Sequence, residues 1–532
     1  MSPSDTRKTP GVYVTEHDAF PSSIVGVETA IPAFIGYTEK AEIDGETVYN
    51  RPVKIESLAD FISIFGVGFR PVYRIEEAAV DAADSGSYDF KISDPNKPAM
   101  LRYFVLTQIT SRFNLYNSMR LFYANGGESC YVVSVGDYTD GGQSLSGVSI
   151  GAEKLSAGLA VIEQQRGPTM LAIPDAVLLD NDGAGAKPWE SSEYQAVTRA
   201  MLEQCGRLQD RVAILDVYGS EYADNKNLTA VIRQFGINAG DQALSYGMSY
   251  FPFLETTVGT NGDFSYMNID QPQTKLAEIL TWESRNLYGA DTARSTAVQA
   301  EIEKMADTRA EPAVTRLNQN LMASLPLLAD ILDVMVAKNR QLPPSAAMAG
   351  VYTLVDNDRG VWNAPANVSL SSVSGLSYKL NDEQQGNLNV PLDGKAVNAI
   401  REFVGRGVVV WGARTLDGNS NDWRYIQVRR TIIYVEQSIK NALAAYAFAA
   451  NDRNTWAQVT AGISVFLQGL WSRGGLMGST ASEAFTVQCG LGSTMTGQEI
   501  LDGYMIVQVT LQLIRPAEFI ELTFKQEMQG AS

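Results

Sequence analysis

The sequence predicts a mixed α/β protein, α+β when taken whole, with a three-layer α/β region, a helical stretch after it and extended strands at both ends. Three observations carry this. Short apolar runs alternate with segments of helical spacing between Pro168 and Phe253; strong helix formers crowd the stretch from Gln273 to Arg340; and both termini carry strict two-residue alternation.

At the start, the turn pair Pro10-Gly11 precedes Val12 to Glu16, where Val12 and Val14 share one face and Tyr13 and Thr15 the other, a short strand. His17 to Ser23 then reads as a linker to the apolar run Ile31 to Tyr37, with Pro21 restricting its conformations and Asp18 and Ser22 keeping it solvated. Further on, Met170 to Ile173, Arg211 to Val217 and Tyr246 to Phe253 read as buried strands, and Tyr194 to Leu208 and Asn227 to Phe235 as the helices between them. Such a βαβαβ run implies a mostly parallel sheet with helices on its faces. Pro312 and Pro326 interrupt the helical stretch that follows.

Near the end, Trp456, Val459, Ile463, Phe466, Leu467 and Leu470 fall on one helical face, a stripe of core type, which Gly474-Gly475 stops. Met505, Val507, Val509, Leu511 and Leu513 alternate against Gln508, Thr510 and Gln512 in a strand that Pro516 ends. Ile520, Leu522 and Phe524 alternate with Glu521, Thr523 and Lys525, a second amphipathic strand.

With 532 residues, 45% of them hydrophobic and 19% charged, the chain can bury ordinary cores. A formal charge of −18 disfavours nucleic acid and anionic membrane as partners. The polar opening, and the lack of any run near the roughly 18 apolar residues a membrane helix needs, lead us to expect synthesis as a soluble cytoplasmic protein. Cys130, Cys205 and Cys489, odd in number and far apart, read as reduced, buried thiols.

Enzyme signatures fail on their partners. Gly147-Val148-Ser149-Ile150-Gly151 has the letters of a hydrolase elbow, but the single histidine, His17, precedes it in the chain. The Gly490 to Gly497 stretch lacks a phosphate-binding lysine, and Asp180-Asn181-Asp182 and Asp356-Asn357-Asp358 lack the rest of a calcium loop, so all three read as turns. Asp175 and Asp216 lie where a parallel sheet offers a crevice; turn capping or a surface role accounts for both more simply. We expect no catalytic, cofactor-binding or metal-binding residues.

Two blocks carry a family likeness. Thr9-Pro10-Gly11-Val12-Tyr13-Val14 with Glu16, Val27 and Ala30 to Gly36 resembles the opening of contractile tail sheath proteins. The second block runs in the family's order: Pro344-Ser345, Ala349-Gly350-Val351-Tyr352, Asp358 to Trp362, Ala364 to Asn367, Gly405-Arg406-Gly407, Val410 to Thr415, Trp423-Arg424-Tyr425, Val428-Arg429-Arg430 and Arg515 to Phe519. Two departures stand out: Ala449-Ala450-Asn451-Asp452 replaces the more typical Phe-Glu-Pro-Asn, and the helical insertion is large.

The resemblance implies a helical polymer around an inner tube, with baseplate and terminator proteins at its ends, whose contraction drives the tube forward. It implies one conserved domain built from both ends of the chain, an outward-facing insertion, and arms that add strands to neighbours' sheets. Together with the strand and helix readings above, the family likeness carried by the motif blocks implies an arm and linker (1–23), a first part of the body (24–100), an inserted α/β domain with its helical insertion (101–343, helices at 273–340), a second part of the body (344–516) and a C-terminal arm (517–532). Val12, Tyr13, Val14, Thr15, Ile520, Leu522 and Phe524 are then the arm-strand residues, and Asp18, Pro21 and Ser22 the tether. Trp362, Trp411 and Trp423 with Arg359, Arg414, Arg429 and Arg430 would buttress the shared domain as core with satisfied arginines. Arg453 and Arg473, flanking the helix Thr455 to Arg473, are candidates for meeting an acidic inner-tube surface. A hydrolase-like enzyme with oligomerising ends and a passive surface-layer or adhesin subunit are the alternative classes.

Overall fold

The structure is a computed structural model, described for residues 24–78, 88–95, 97–139, 150–519 and 521. The chain forms two compact units. A lobe comprises Tyr434–Ile514 with residues 24–27, and a main unit comprises Glu28–Ile433 with the described residues from Arg515 onward.

The main unit is built on an eight-stranded sheet of β1 (Pro32–Thr38), β2 (Val53–Ile55), β3 (Cys130–Asp137), β4 (Met170–Ala172), β5 (Val212–Asp216), β6 (Gly247–Phe251), β7 (Asn398–Phe403) and β8 (Gly407–Val410). Their spatial order is β8-β7-β6-β5-β4-β1-β3-β2. From β3 through β1, β4, β5 and β6 to β7 the pairing is parallel, and the outer strands β2 and β8 pair antiparallel.

The helices α1 (Leu115–Ala124), α2 (Ala152–Glu163), α3 (Ser192–Leu208) and α4 (Leu228–Ala239) cover this sheet. Neighbours on a strand point to opposite faces, and β1 shows both. Phe34 sets its ring against Phe122 of α1 at 5.1 Å, while Ile35 packs beside Gly158 of α2. The three-layer arrangement expected from the βαβαβ run is present, with Ser191 capping α3 at 3.2 Å from Tyr194 N.

A second apolar core lies in the same unit. Strands Tyr73–Glu77 and Phe90–Asp94 flank the central strand Lys97–Gln108, and against them pack α5 (Lys275–Tyr288), α6 (Thr292–Glu303), α7 (Ala313–Ser324) and α8 (Pro326–Asn339). Pro326 occupies the first turn of α8, where its missing N–H costs nothing. Residues 73–108 share a core with 275–339, and β7 and β8 from beyond 343 complete the sheet that β1 and β4 to β6 begin. Strand partners far apart in sequence are joined by tertiary pairing, which no local composition shift marks.

Next comes α9 (Ser345–Arg359), buried almost throughout its first half because it packs on α1 and the sheet. Its small residues are required there: a Cβ at Gly350 would stand 2.6 Å from Phe122 O. The Asp356-Asn357-Asp358 segment, read as a turn, is the end of this helix, which continues to Gly360 at φ +90°.

In the lobe, α10 (Ile426–Leu443) continues from the main unit, and α11 (Arg453–Ser472) buries Val459, Ile463, Phe466, Leu467 and Leu470 as the spacing predicts. Asp452 caps α11 through Thr455 N at 3.0 Å, and Gly474 follows it at φ +79°. Trp456 is only half-buried, its Nε1 donating to Asn451 Oδ1 at 2.7 Å. β9 (Phe485–Gln488) and β10 (Gln508–Leu511) form an antiparallel two-stranded ribbon. The strand expected from Met505 to Leu513 is shortened to the four residues that β9 can pair, with one further bridge from Leu513 to Leu476.

Candidate assembly site

The strand-end crevice, the first place to look for a ligand in a parallel sheet, is filled from within. Asp175 follows β4, and its carboxylate accepts from Tyr37 N at 2.9 Å and from Asn114 N, at the start of α1, at 2.6 Å. A Cβ on Gly36 would come within 2.5 Å of that carboxylate, so the close approach depends on glycine. Asp216, ending β5, accepts from Ser345 N at the start of α9 at 2.7 Å. The void beside it holds about 10 Å³, at most one water.

Both acids are fully or almost fully buried, which corrects the surface role considered for them; helix capping is what they do. Burial pushes the Asp175 carboxyl up to about 6 against the pull of its backbone donors, and burial pushes Asp216 up to about 7 against its bonds from Ser345.

Of the four arginines expected to buttress the shared domain, Arg414, Arg429 and Arg430 are buried and Arg359 is not. Arg430 meets Asp356 in a two-pronged ion pair at 2.8 and 2.7 Å and also donates to Thr29 O. Arg429 lies 3.7 Å from the Trp423 ring and 4.3 Å from the Tyr246 ring, and donates to Ser245 Oγ at 2.8 Å. Arg414 holds Glu518 with two bonds of 2.9 and 2.6 Å. Arg359, by contrast, is exposed at the end of α9. Trp362 and Trp423 are half-buried, and Trp411 remains exposed although its ring lies tilted against Phe403, 4.7 Å between centroids.

Cys130 and Cys205 are buried, and burial raises both thiols, Cys130 to about 12. Cys489 departs from expectation in being only half-buried. In the Gly490 to Gly497 stretch residues 492–494 form a turn, with Gly492 at φ +79°, and Gly497 opens the short helix Gly497–Leu501. Asp180 to Asp182 lie in a loop where Asp182 accepts from Ser192 N.

The lobe presents the ribbon. Val509 and Leu511 are half-buried and Gln508 and Thr510 exposed, so the strand has an inner and an outer face. Neither outer edge of the β9–β10 ladder pairs with another strand among the described residues. Unpaired edges leave N–H and C=O groups that demand partners. Arg453 and Arg473 stand exposed at the two ends of α11, where Arg473 Nε donates to Gly469 O at 3.3 Å; among the described residues no acidic group forms an ion pair with Arg453. Val12, Tyr13, Val14, Thr15, Asp18, Pro21, Ser22, Ile520, Leu522 and Phe524, like His17 and Ser149, lie outside the described residues.

Sequence reasoning missed the roles of Asp356 and Glu518. Glu518 lies in the last motif and Asp356 between two of them, but nothing near either in sequence names Arg414 or Arg430 as partner.

The lobe thus offers unpaired strand edges, and comparison with known proteins says what the chain is similar to. Residues 419–527 match the family model of the phage tail sheath C-terminal domain. The putative prophage major tail sheath protein of Pseudomonas aeruginosa (strain UCBPP-PA14) is 27% identical over 144 residues, covering 26% of this chain and 36% of that protein. The tail sheath protein of Vibrio phage KVP40 is 24% identical over 139 residues, 26% of this chain and 21% of that protein. The chain thus matches about a third and a fifth of the lengths of these relatives.

Among solved structures, the sheath complex of the extracellular contractile injection system PVC in its contracted state aligns at TM-score 0.57 with 25% identity over 98% of both chains. The contracted helical sheath of the anti-feeding prophage aligns at TM-score 0.56 with 26% identity, over 98% of this chain and 100% of that one. Over residues 419–527 the chain matches the phage tail sheath C-terminal domain, and in sequence and fold it is similar to contractile tail sheath proteins.

Proposed function

We propose that this chain polymerises helically around an inner tube and shortens as a sheath, driving the tube through a target envelope. The observation that carries the reading is the β9–β10 ribbon with its two unpaired edges. Strands with the alternation of Val12 to Thr15 and Ile520 to Phe524 are suited to add to such edges in neighbouring copies. A head-to-tail contact that does not close yields a helical polymer, and exchanged strands keep subunits tied while they rotate. The work comes from the free-energy difference between two packings of one subunit, so no catalytic step is required. That agrees with strand-end carboxylates already committed to capping helices.

The partners are further copies of the chain, an inner tube protein, a baseplate and a terminator, and assembly takes place in the cytoplasm before any particle is released. Negative-stain microscopy of the purified protein tests the reading: ribbed tubes or stacked rings are expected, whereas discrete particles or flat sheets would point to an enzyme or a surface layer. Removing Met1 to Glu16, or everything after Phe519, should leave soluble, cooperatively melting protein that forms no tubes.

A further inference from the structure

The segment Arg515 to Phe519 leads from the lobe back to the main unit and onward to the C-terminal arm, and it has no secondary structure of its own. Its hold on the main unit is concentrated in one side chain. Glu518 Oε1 accepts from Arg414 Nε at 2.9 Å and from Asn389 Nδ2 at 2.6 Å; Oε2 accepts from Arg414 Nη2 at 2.6 Å and from Tyr425 OH at 3.2 Å. Arg414 is 4% exposed and also donates to Asn389 O and Gly418 O, so it is itself locked in place. The flanking contacts are weak by comparison: Arg515 and Asp422 are 3.9 Å apart and mostly exposed, and Phe519 is 77% exposed.

Burial alone would raise the Glu518 carboxyl, but the bonds from Arg414 and Asn389 outweigh it and hold it below the usual carboxylate range. Charge-assisted, two-pronged bonds of this kind are the strong and directional ones.

Leu511, the last residue of β10, and Glu518 are seven residues apart, a span of at most about 25 Å when fully extended. Pro516 stiffens the interval. Without an anchor, tension on the arm would run straight into β10 and strip it from β9. We propose that Arg414 and Glu518 are the clamp that roots the C-terminal arm, delivering its load to the main unit and sparing the β9–β10 ribbon. This rests on the sheath reading above, and it adds which residues carry the load.

The test is hydrogen exchange over residues 485–488 and 508–511, in isolated subunits and in extended sheaths assembled with their own tube and baseplate proteins. Glu518→Ala is introduced as an isotope-labelled minority among wild-type subunits, and Glu518→Gln serves as the near-isosteric second variant. In isolated subunits the ribbon of the variants should exchange as in wild type, because no load acts on the arm there. In the sheath the variant ribbon should exchange roughly tenfold faster or more. A folded variant that is shut out of mixed sheaths also supports the clamp.

Equal ribbon protection in the sheath would overturn the clamp alone. So would a ribbon already loosened in the isolated variant, since Glu518 would then only hold the fold. Wild-type protein that forms no sheath would overturn the sheath reading and the clamp with it.

Discussion

Arg430, in the first turns of α10, and Asp356, near the end of α9, form a two-pronged buried ion pair in which the side chains are 4% and 1% exposed. Around them Tyr352 sets its ring 4.6 Å from the guanidinium and shares a 2.8 Å hydroxyl contact with Tyr250 of β6. The pair ties the helix that enters the lobe to the helix that covers the sheet, so the end of the main unit where the chain leaves for the lobe is held by charge as well as by packing.

Removing one member of such a pair leaves the other buried and uncompensated. Asp356→Ala should therefore destabilise the protein by about 3 to 5 kcal/mol, whereas replacing both residues by apolar ones of similar volume should cost far less. Urea denaturation midpoints of the single and double variants check this, and equal losses in the two would show that charge is not what matters there.

The buried acids give a pH signature with a definite sign. A carboxyl raised on folding adds stability that is fully present below its ordinary value and is lost as pH rises through the folded value. For Asp216, that window runs from the ordinary 3.8 up to about 7. Asp216→Asn removes the titration, so the melting temperature of wild type should fall relative to the variant as pH is raised across that window. A constant difference at all pH values would show that Asp216 does not titrate there.

Under the proposed sheath function, the linker from His17 to Ser23 is expected to set how tightly neighbours are coupled, because each extended residue adds only about 3.3 to 3.6 Å of slack. Inserting Gly-Ser-Gly between Ala19 and Phe20 should leave assembly intact while the sheath stays extended after exposure to urea or acid. Electron microscopy decides it, and normal contraction would show that the linker does not transmit the motion.

Accessibility in the polymer should separate the two cores of the main unit. Limited proteolysis of assembled sheaths is expected to nick the stretch around α6 and α7, whose connection carries many exposed residues, before it cuts Val408 to Trp411, whose first three residues are buried. Cutting in the reverse order would place the helical part inward.

What the sequence determined by itself was local. The stripe Val459 to Leu470 specified α11, Pro326 marked the start of α8, and the alternation about Val509 produced the half-buried face of β10, because periodicity and backbone restriction act within a few residues. The tertiary structure alone decided which distant segments share a core, that 73–108 join 275–339, and that Asp356, read as a turn, lies in a helix opposite Arg430. It also decided that Glu518 meets Arg414, 104 residues away in the chain. Ion pairs and strand order depend on where the folded backbone brings residues in space, and their energy comes from burial that no stretch of a few residues can supply alone.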